Sequence, residues 1–145
     1  KVAAIAGIDR IGLKALRRTI ATFDAPEQFR GHHWPFVYDI EEKFYFKLEH
    51  NSILASPADE HEQAPGDAGA DEYDIAVGID RIQQVADLPV TRVRSSWAGL
   101  RVFSPDRDLV IGRDTGDPSF FWMDRGCGAW RHKISFLRKT SNFCS

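Results

Sequence analysis

The sequence predicts an α+β fold, a mainly antiparallel sheet with one principal amphipathic helix. Three observations carry this expectation. Short segments rich in β-branched and aromatic residues recur at residues 17–23, 34–38, 43–47 and 52–56. One stretch after Asp71 places Ile75, Ile79, Ile82 and Ala86 at helical spacing. Further short apolar segments follow at 88–94, 108–112 and 119–123, so strands bracket the helix instead of alternating with helices as in a parallel nucleotide-binding domain.

Each element has a local reason. Residues 17–23 read as a strand closed by Asp24-Ala25-Pro26, a breaker. Residues 34–38 and 43–47 flank Asp39-Ile40-Glu41-Glu42, the pattern of an antiparallel hairpin with aromatic residues on its faces. Residues 57–70, rich in Pro, Gly, Ala and acids and poor in apolar bulk, predict an exposed loop. Asp71 is placed to cap the helix, whose weak interior position is Gly78. Beyond it, residues 88–94 alternate as a strand, and the segment from Ser95 to Arg101 reads as a strand giving way through Gly99 to a loop that begins at Phe103-Ser104-Pro105.

Composition bounds the function. With 145 residues, 43% hydrophobic and 12% aromatic, the chain has the makings of a packed core and the size of one domain or a piece of a larger one. Its formal charge of −2 excludes nucleic-acid or membrane binding through a bulk field. No apolar run approaches the roughly 18 residues of a membrane-crossing helix, and residues 2–8 are short for a secretory leader. Two cysteines, Cys127 and Cys144, make neither a disulfide framework nor a zinc site, so a soluble, cytoplasmic protein in a reducing compartment is expected. The chain opens on Lys1 and runs directly into apolar residues, which reads as a truncated element. Residues 124–145 hold five Lys/Arg against one acid, a net of +4, so residues 1–123 carry −6. That tail reads either as a solvated basic run or as foreign to the body.

Few residues carry chemistry by themselves. Arg101, at an expected strand end, could grip a carboxylate through two parallel charge-assisted hydrogen bonds, and Arg17 and Arg18 offer a second cation. Taken alone, each is also the pattern of an ordinary surface ion pair. Tyr45 stands between Phe44 and Phe46, so strand alternation sends it to the opposite face, where its hydroxyl lines either a polar pocket or a satisfied core position. His32, His33, His50, His61 and His132 show no ligand spacing, and no metal is assigned. The sequence contains no Gly-x-Ser-x-Gly elbow, phosphate-binding loop or Gly-x-Gly-x-x-Gly turn.

Several blocks in order, Ile11-Gly-Leu-Lys-Ala-Leu-Arg-Arg-Thr19, Trp34-Pro35, Phe44-Tyr-Phe-Lys47, Leu54-Ala-Ser-Pro-Ala-Asp59, Asp80-Arg-Ile82, Trp97-Ala-Gly-Leu-Arg101 and Phe120-Phe-Trp122, together resemble one family. It is that of the FAD-dependent D-amino-acid oxidoreductases of the glycine oxidase and D-amino-acid dehydrogenase type, nearest the D-arginine dehydrogenase branch. The resemblance runs from about Lys1 to Met123. It implies the C-terminal part of a longer flavoenzyme: residues 1–12 as a return segment from a Rossmann-type FAD domain, 13–113 as a substrate domain of the D-amino-acid oxidase fold, 114–123 as the start of the return to the FAD domain, and 124–145 as a divergent basic tail.

The same resemblance maps the substrate-carboxylate anchor to Arg101 and further pocket residues to Arg18 and Tyr45. It implies oxidation of a D-amino acid by hydride transfer to flavin, giving an imino acid and then a 2-oxo acid and ammonia, with oxygen or another acceptor taking the electrons. Two departures stand out. The glycine turn for the FAD pyrophosphate is missing, so this chain by itself is expected not to hold FAD or to turn over. After Met123 the family's Gly-Gln-Gly-Gly segment is replaced by Asp124-Arg-Gly-Cys-Gly-Ala-Trp-Arg-His132, where Gly126 and Gly128 are the remaining cofactor-binding candidates. A reading-frame slip or divergent gene end after Met123 would explain that change, and a single unambiguous frame in the DNA would count against the slip. The alternatives are a non-catalytic remnant, a small carboxylate-binding module and an unrelated interaction domain.

Overall fold

The computed structural model describes residues 2–8 and 11–124. The architecture is α+β, with a mainly antiparallel sheet and one main helix. In chain order the elements are α1 (Val2–Ile5), β1 (Lys14–Asp24), a 3-10 turn (Glu27–Phe29), β2 (Val37–Tyr38), β3 (Tyr45–Glu49), β4 (Ser52–Ser56), β5 (His61–Glu62), α2 (Glu72–Val85), β6 (Val93–Phe103), β7 (Val110–Arg113) and β8 (Phe121–Asp124). They fall into two compact units, one of residues 17–100 and one formed by 1–16 with 101–145.

The unit of residues 17–100 is built on strands in the order β2-β3-β4-β1-β5, with β6 also pairing with β1. The expected hairpin forms with shorter strands. Asp39 organises its turn, accepting the amide of Lys43 on its carboxylate at 3.0 Å and that of Glu42 on its carbonyl at 3.0 Å. Glu42 takes the left-handed conformation (φ 62°) that lets the chain reverse.

One face of the sheet is apolar because alternation puts Phe23, Phe44, Phe46, Ile53 and Ala55 on the same side. Ile82 of α2 and Leu88 complete that core, with Phe23, Ile53 and Ile82 almost wholly removed from water. Each such side chain contributes roughly 1.5–3 kcal/mol on burial. Asp71 caps α2, accepting from the amides of Tyr73 (2.9 Å) and Asp74 (3.4 Å). Gly78 sits where the helix meets Pro57: an added Cβ would lie 3.0 Å from the proline ring and backbone nitrogen. Close approach, not chain reversal, therefore accounts for this glycine.

Three expectations need correction. The acidic segment 57–70 is not wholly an exposed loop: His61–Glu62 form β5 and Asp59 is buried. Its carboxylate accepts from the Thr19 amide (2.6 Å), the Thr19 hydroxyl (2.8 Å) and Arg17 Nε (3.3 Å), so polar pairing rather than apolar bulk buries it. Residues 88–92 are irregular, and the strand begins at Val93. Nor does it end at Gly99. Pairing with β1 belongs to a β6 that continues through the glycine to Phe103, so Arg101 lies within a strand.

In the other unit, β7 and β8 form an antiparallel hairpin with Ile111 opposite Met123 and Gly112 opposite Trp122. Asp114 closes its loop, accepting from the amides of Gly116 (2.8 Å) and Asp117 (2.9 Å) on one oxygen and from the Trp122 indole (3.0 Å) on the other.

Candidate functional site

Adjacent arginines on β1 serve different faces. Arg17 lies on the helix side, where Nε pairs with Asp59 and Nη2 with Asp74 of α2. Asp74 also faces His61 Nε2 at 3.3 Å. This network joins the first strand, the acidic segment and the helix, so Arg17 is occupied in holding the fold.

Arg18, one residue on, lies on the opposite face. The register shows what else is there. Tyr38 pairs with Tyr45, and Tyr45 with Ser56, so these three share a face. Ala21 pairs with Ala55 on the core side, which places Ile20 with Ser56 and Arg18 two residues before it on the Tyr45 side. The expected separation of Tyr45 from its neighbours holds: Phe44 and Phe46 enter the core, while Tyr45 stacks against Tyr38 at 5.9 Å and approaches Phe36 at 5.3 Å between centroids.

The result is an aromatic wall of Phe36, Tyr38 and Tyr45 beside a charged pair. Arg18 Nη2 donates to Glu60 Oε1 at 2.8 Å, with side chains 9% and 21% exposed. Arg18 Nε is buried and has no hydrogen-bond partner. A guanidinium has five N–H donors, so Glu60 leaves capacity for another acceptor. The two charges also act on Tyr38. Desolvation raises its pKa above the ordinary 10.0, Glu42, Glu60 and Tyr45 add to the rise, and Arg18 opposes it.

Arg18 and Tyr45 are thus brought into one neighbourhood within the unit of residues 17–100. Arg101 belongs to the other unit, exposed on β6. Gly126 and Gly128 lie outside the described residues. Sequence reasoning missed Glu60, Tyr38 and Phe36. The hairpin pattern contained the signal for the two aromatics, since antiparallel pairing of 38 with 45 follows from the Asp39 turn; Glu60 stood in a segment that read as solvent-exposed.

The same unit as Arg101 has a cavity of about 190 Å³, lined by residues including Ile11, Gly112, Asp114 and Trp122. Asp114 is committed there to the hairpin loop and the indole. Among the described residues no group of three His, Cys, Asp or Glu is placed to hold a metal ion, and no helix is long and apolar enough to cross a membrane.

These residues can be tested for fit to a dinucleotide. A pyrophosphate needs backbone amides at a glycine turn or helix start and a positive local field. The first turn of α2 carries Glu72 and Asp74 behind Asp71, which repel it, and α1 is four residues long. Neither helix start among the described residues therefore offers a pyrophosphate site.

Comparison with known structures adds one finding. The chain is similar in fold to L-proline dehydrogenase from P. horikoshii. The TM-score is 0.58 at 20% identity, over 84% of this chain and 33% of that one, so the chain spans about a third of that structure's length. No family model matches the chain.

Proposed function

We propose that this chain is the substrate-binding part of an FAD-dependent oxidoreductase acting on D-amino acids, with residues 13–113 as its substrate domain. In this reading Arg18 receives the α-carboxylate, and Tyr45, with Tyr38 and Phe36 beside it, forms the wall against which the substrate lies. The observation that carries it is the buried Arg18, with one donor unsatisfied, on the same sheet face as Tyr45. A charge-assisted pair in such a setting fixes both place and orientation of a carboxylate. Support also comes from the fold shared with a protein named for oxidising an amino acid and from the sequence resemblance described above. That protein acts on L-proline by name, so the D configuration rests on the resemblance.

Because neither helix start among the described residues offers a pyrophosphate site, the cofactor's pyrophosphate in this reading is held outside residues 2–8 and 11–124. The same observation favours a second reading, a carboxylate-binding module without redox activity. One experiment separates them. The purified chain is incubated with FAD, freed of unbound cofactor, inspected for flavin absorbance and assayed with D-amino acids and L-proline for reduction of a dye acceptor. Retained flavin with D-amino-acid-dependent reduction supports the first reading. A colourless protein that binds D-amino acids in preference to other carboxylates keeps the first reading with flavin held outside this chain, one that binds carboxylates without that preference supports the second, and turnover of L-proline alone overturns the D configuration.

A further inference from the structure

Arg18 poses an electrostatic problem that its own neighbourhood answers. A guanidinium with 9% of its side chain exposed has lost most of its hydration, and such a charge is held only with a counter-charge close by. Glu60 supplies that charge at 2.8 Å on Nη2. It takes one edge of the fork and leaves Nε without a partner. Arg18 stands on the same sheet face as Tyr45, with β4 between their strands, and both charges act on Tyr38 in opposite senses.

We propose that Glu60 is the resident counter-anion of the carboxylate site, a positioning residue that holds Arg18 in place when no ligand is bound and weakens its grip on a carboxylate that enters. The proposal rests on the reading of Arg18 as a carboxylate anchor and adds to it a control of affinity. A ligand carboxylate approaching Arg18 meets attraction from the guanidinium and repulsion from Glu60. Neutralising Glu60 while keeping an oxygen for Nη2 removes the repulsion and keeps that hydrogen bond. A unit charge several ångströms away in a partly buried setting alters affinity by about fivefold or more. The physical consequence is a site that fills only at high substrate concentration and releases anionic product readily.

The test uses the full chain and pyruvate, a monoanionic 2-oxo acid, with neutral pyruvamide as control. Binding is followed through the arginine Nε–Hε and glutamate side-chain carboxyl resonances in NMR titrations of wild type, Glu60→Gln, Arg18→Lys and the exposed Glu27→Gln. Pyruvate is expected to shift the Arg18 Nε–Hε signal and, with the same saturation curve, the Glu60 carboxyl signal. Glu60→Gln is expected to bind pyruvate about fivefold more tightly, with Glu27→Gln unchanged and pyruvamide inert throughout. Should Glu60→Gln not fold, the wild-type Glu60 signal still decides: if it stays fixed while the Arg18 signal moves, the proposal is overturned. Weaker or equal binding by Glu60→Gln, with Arg18→Lys impaired, overturns the counter-anion role and leaves the Arg18 anchor standing. Pyruvate binding that never perturbs Arg18, or no binding at all, overturns the anchor and the counter-anion together.

Discussion

Replacing Asp59 with alanine is the most demanding test of how the site is supported. The carboxylate is 2% exposed in its side chain and accepts from the Thr19 amide at 2.6 Å, the Thr19 hydroxyl at 2.8 Å and Arg17 Nε at 3.3 Å. Its removal strands both Thr19 donors in a residue with no exposed surface, at about 1–3 kcal/mol for each unsatisfied buried group. Arg17 retains Asp74 and loses only part of its compensation. A total near 3–5 kcal/mol follows, in the range measured when one partner of a buried pair is deleted. That is a large share of the roughly 5–15 kcal/mol that keeps a domain folded. Urea unfolding followed by circular dichroism should therefore show a much lower midpoint for Asp59→Ala. Asp67→Ala, on the exposed part of the same segment, should stay within about 0.5 kcal/mol of wild type. A loss below about 1 kcal/mol for Asp59→Ala would refute the claim that this carboxylate fastens β1.

Two further outcomes follow from the packing and the charges. Gly78→Ala gains about 1 kcal/mol of helix propensity but drives its Cβ to 3.0 Å from Pro57, where overpacking costs about 1–3 kcal/mol; thermal unfolding should show net destabilisation, and a raised Tm would mean that Pro57 yields freely. Tyr38 ionises above the ordinary 10.0 because burial and the acids around it disfavour the phenolate, so its raised folded value favours the folded state below pH 10 and this contribution is lost as pH rises through that value. Ultraviolet titration of wild type against Tyr38→Phe should place the missing phenolate signal in the late part of the curve; a loss from its early part would contradict the assignment.

The helix could be read from the chain because its determinants are local: Asp71 caps it, and Ile75 and Ile82 return to one side after seven residues. Tyr45 was legible for a similar reason, since a strand separates neighbours whatever its surroundings. Alternation alone, however, assigns opposite faces without saying which face is the core. Arg17 and Arg18 were therefore equivalent until α2 was seen to meet the first of them. Asp59 and Glu60 were opaque because their partners on β1 lie 42 positions away. An acidic segment with Pro and Gly has the composition of a solvated loop, and only distant donors reveal that two of its carboxylates are largely withdrawn from water. Gly99 misled because glycine weakens an isolated strand, whereas β6 is held by its pairing with β1.

The back-to-back arrangement of Arg17 and Arg18 bears on how this protein tolerates insertions and deletions. A single residue gained or lost within β1 ahead of Arg17, with the strand keeping its pairing by slipping one place, would rotate every later side chain to the other side. After a gain, Arg17 would take the place of Arg18 on the aromatic side, and Leu16 or the inserted residue would face Asp74; after a loss, Arg18 would face Asp74 and Thr19 would stand where Arg18 stood. Either way one of the two places keeps an arginine, while Thr19 leaves Asp59 with both its amide and its hydroxyl. Thr19 is thus the residue that fixes the reading of the strand, and only length changes in twos preserve the faces of β1.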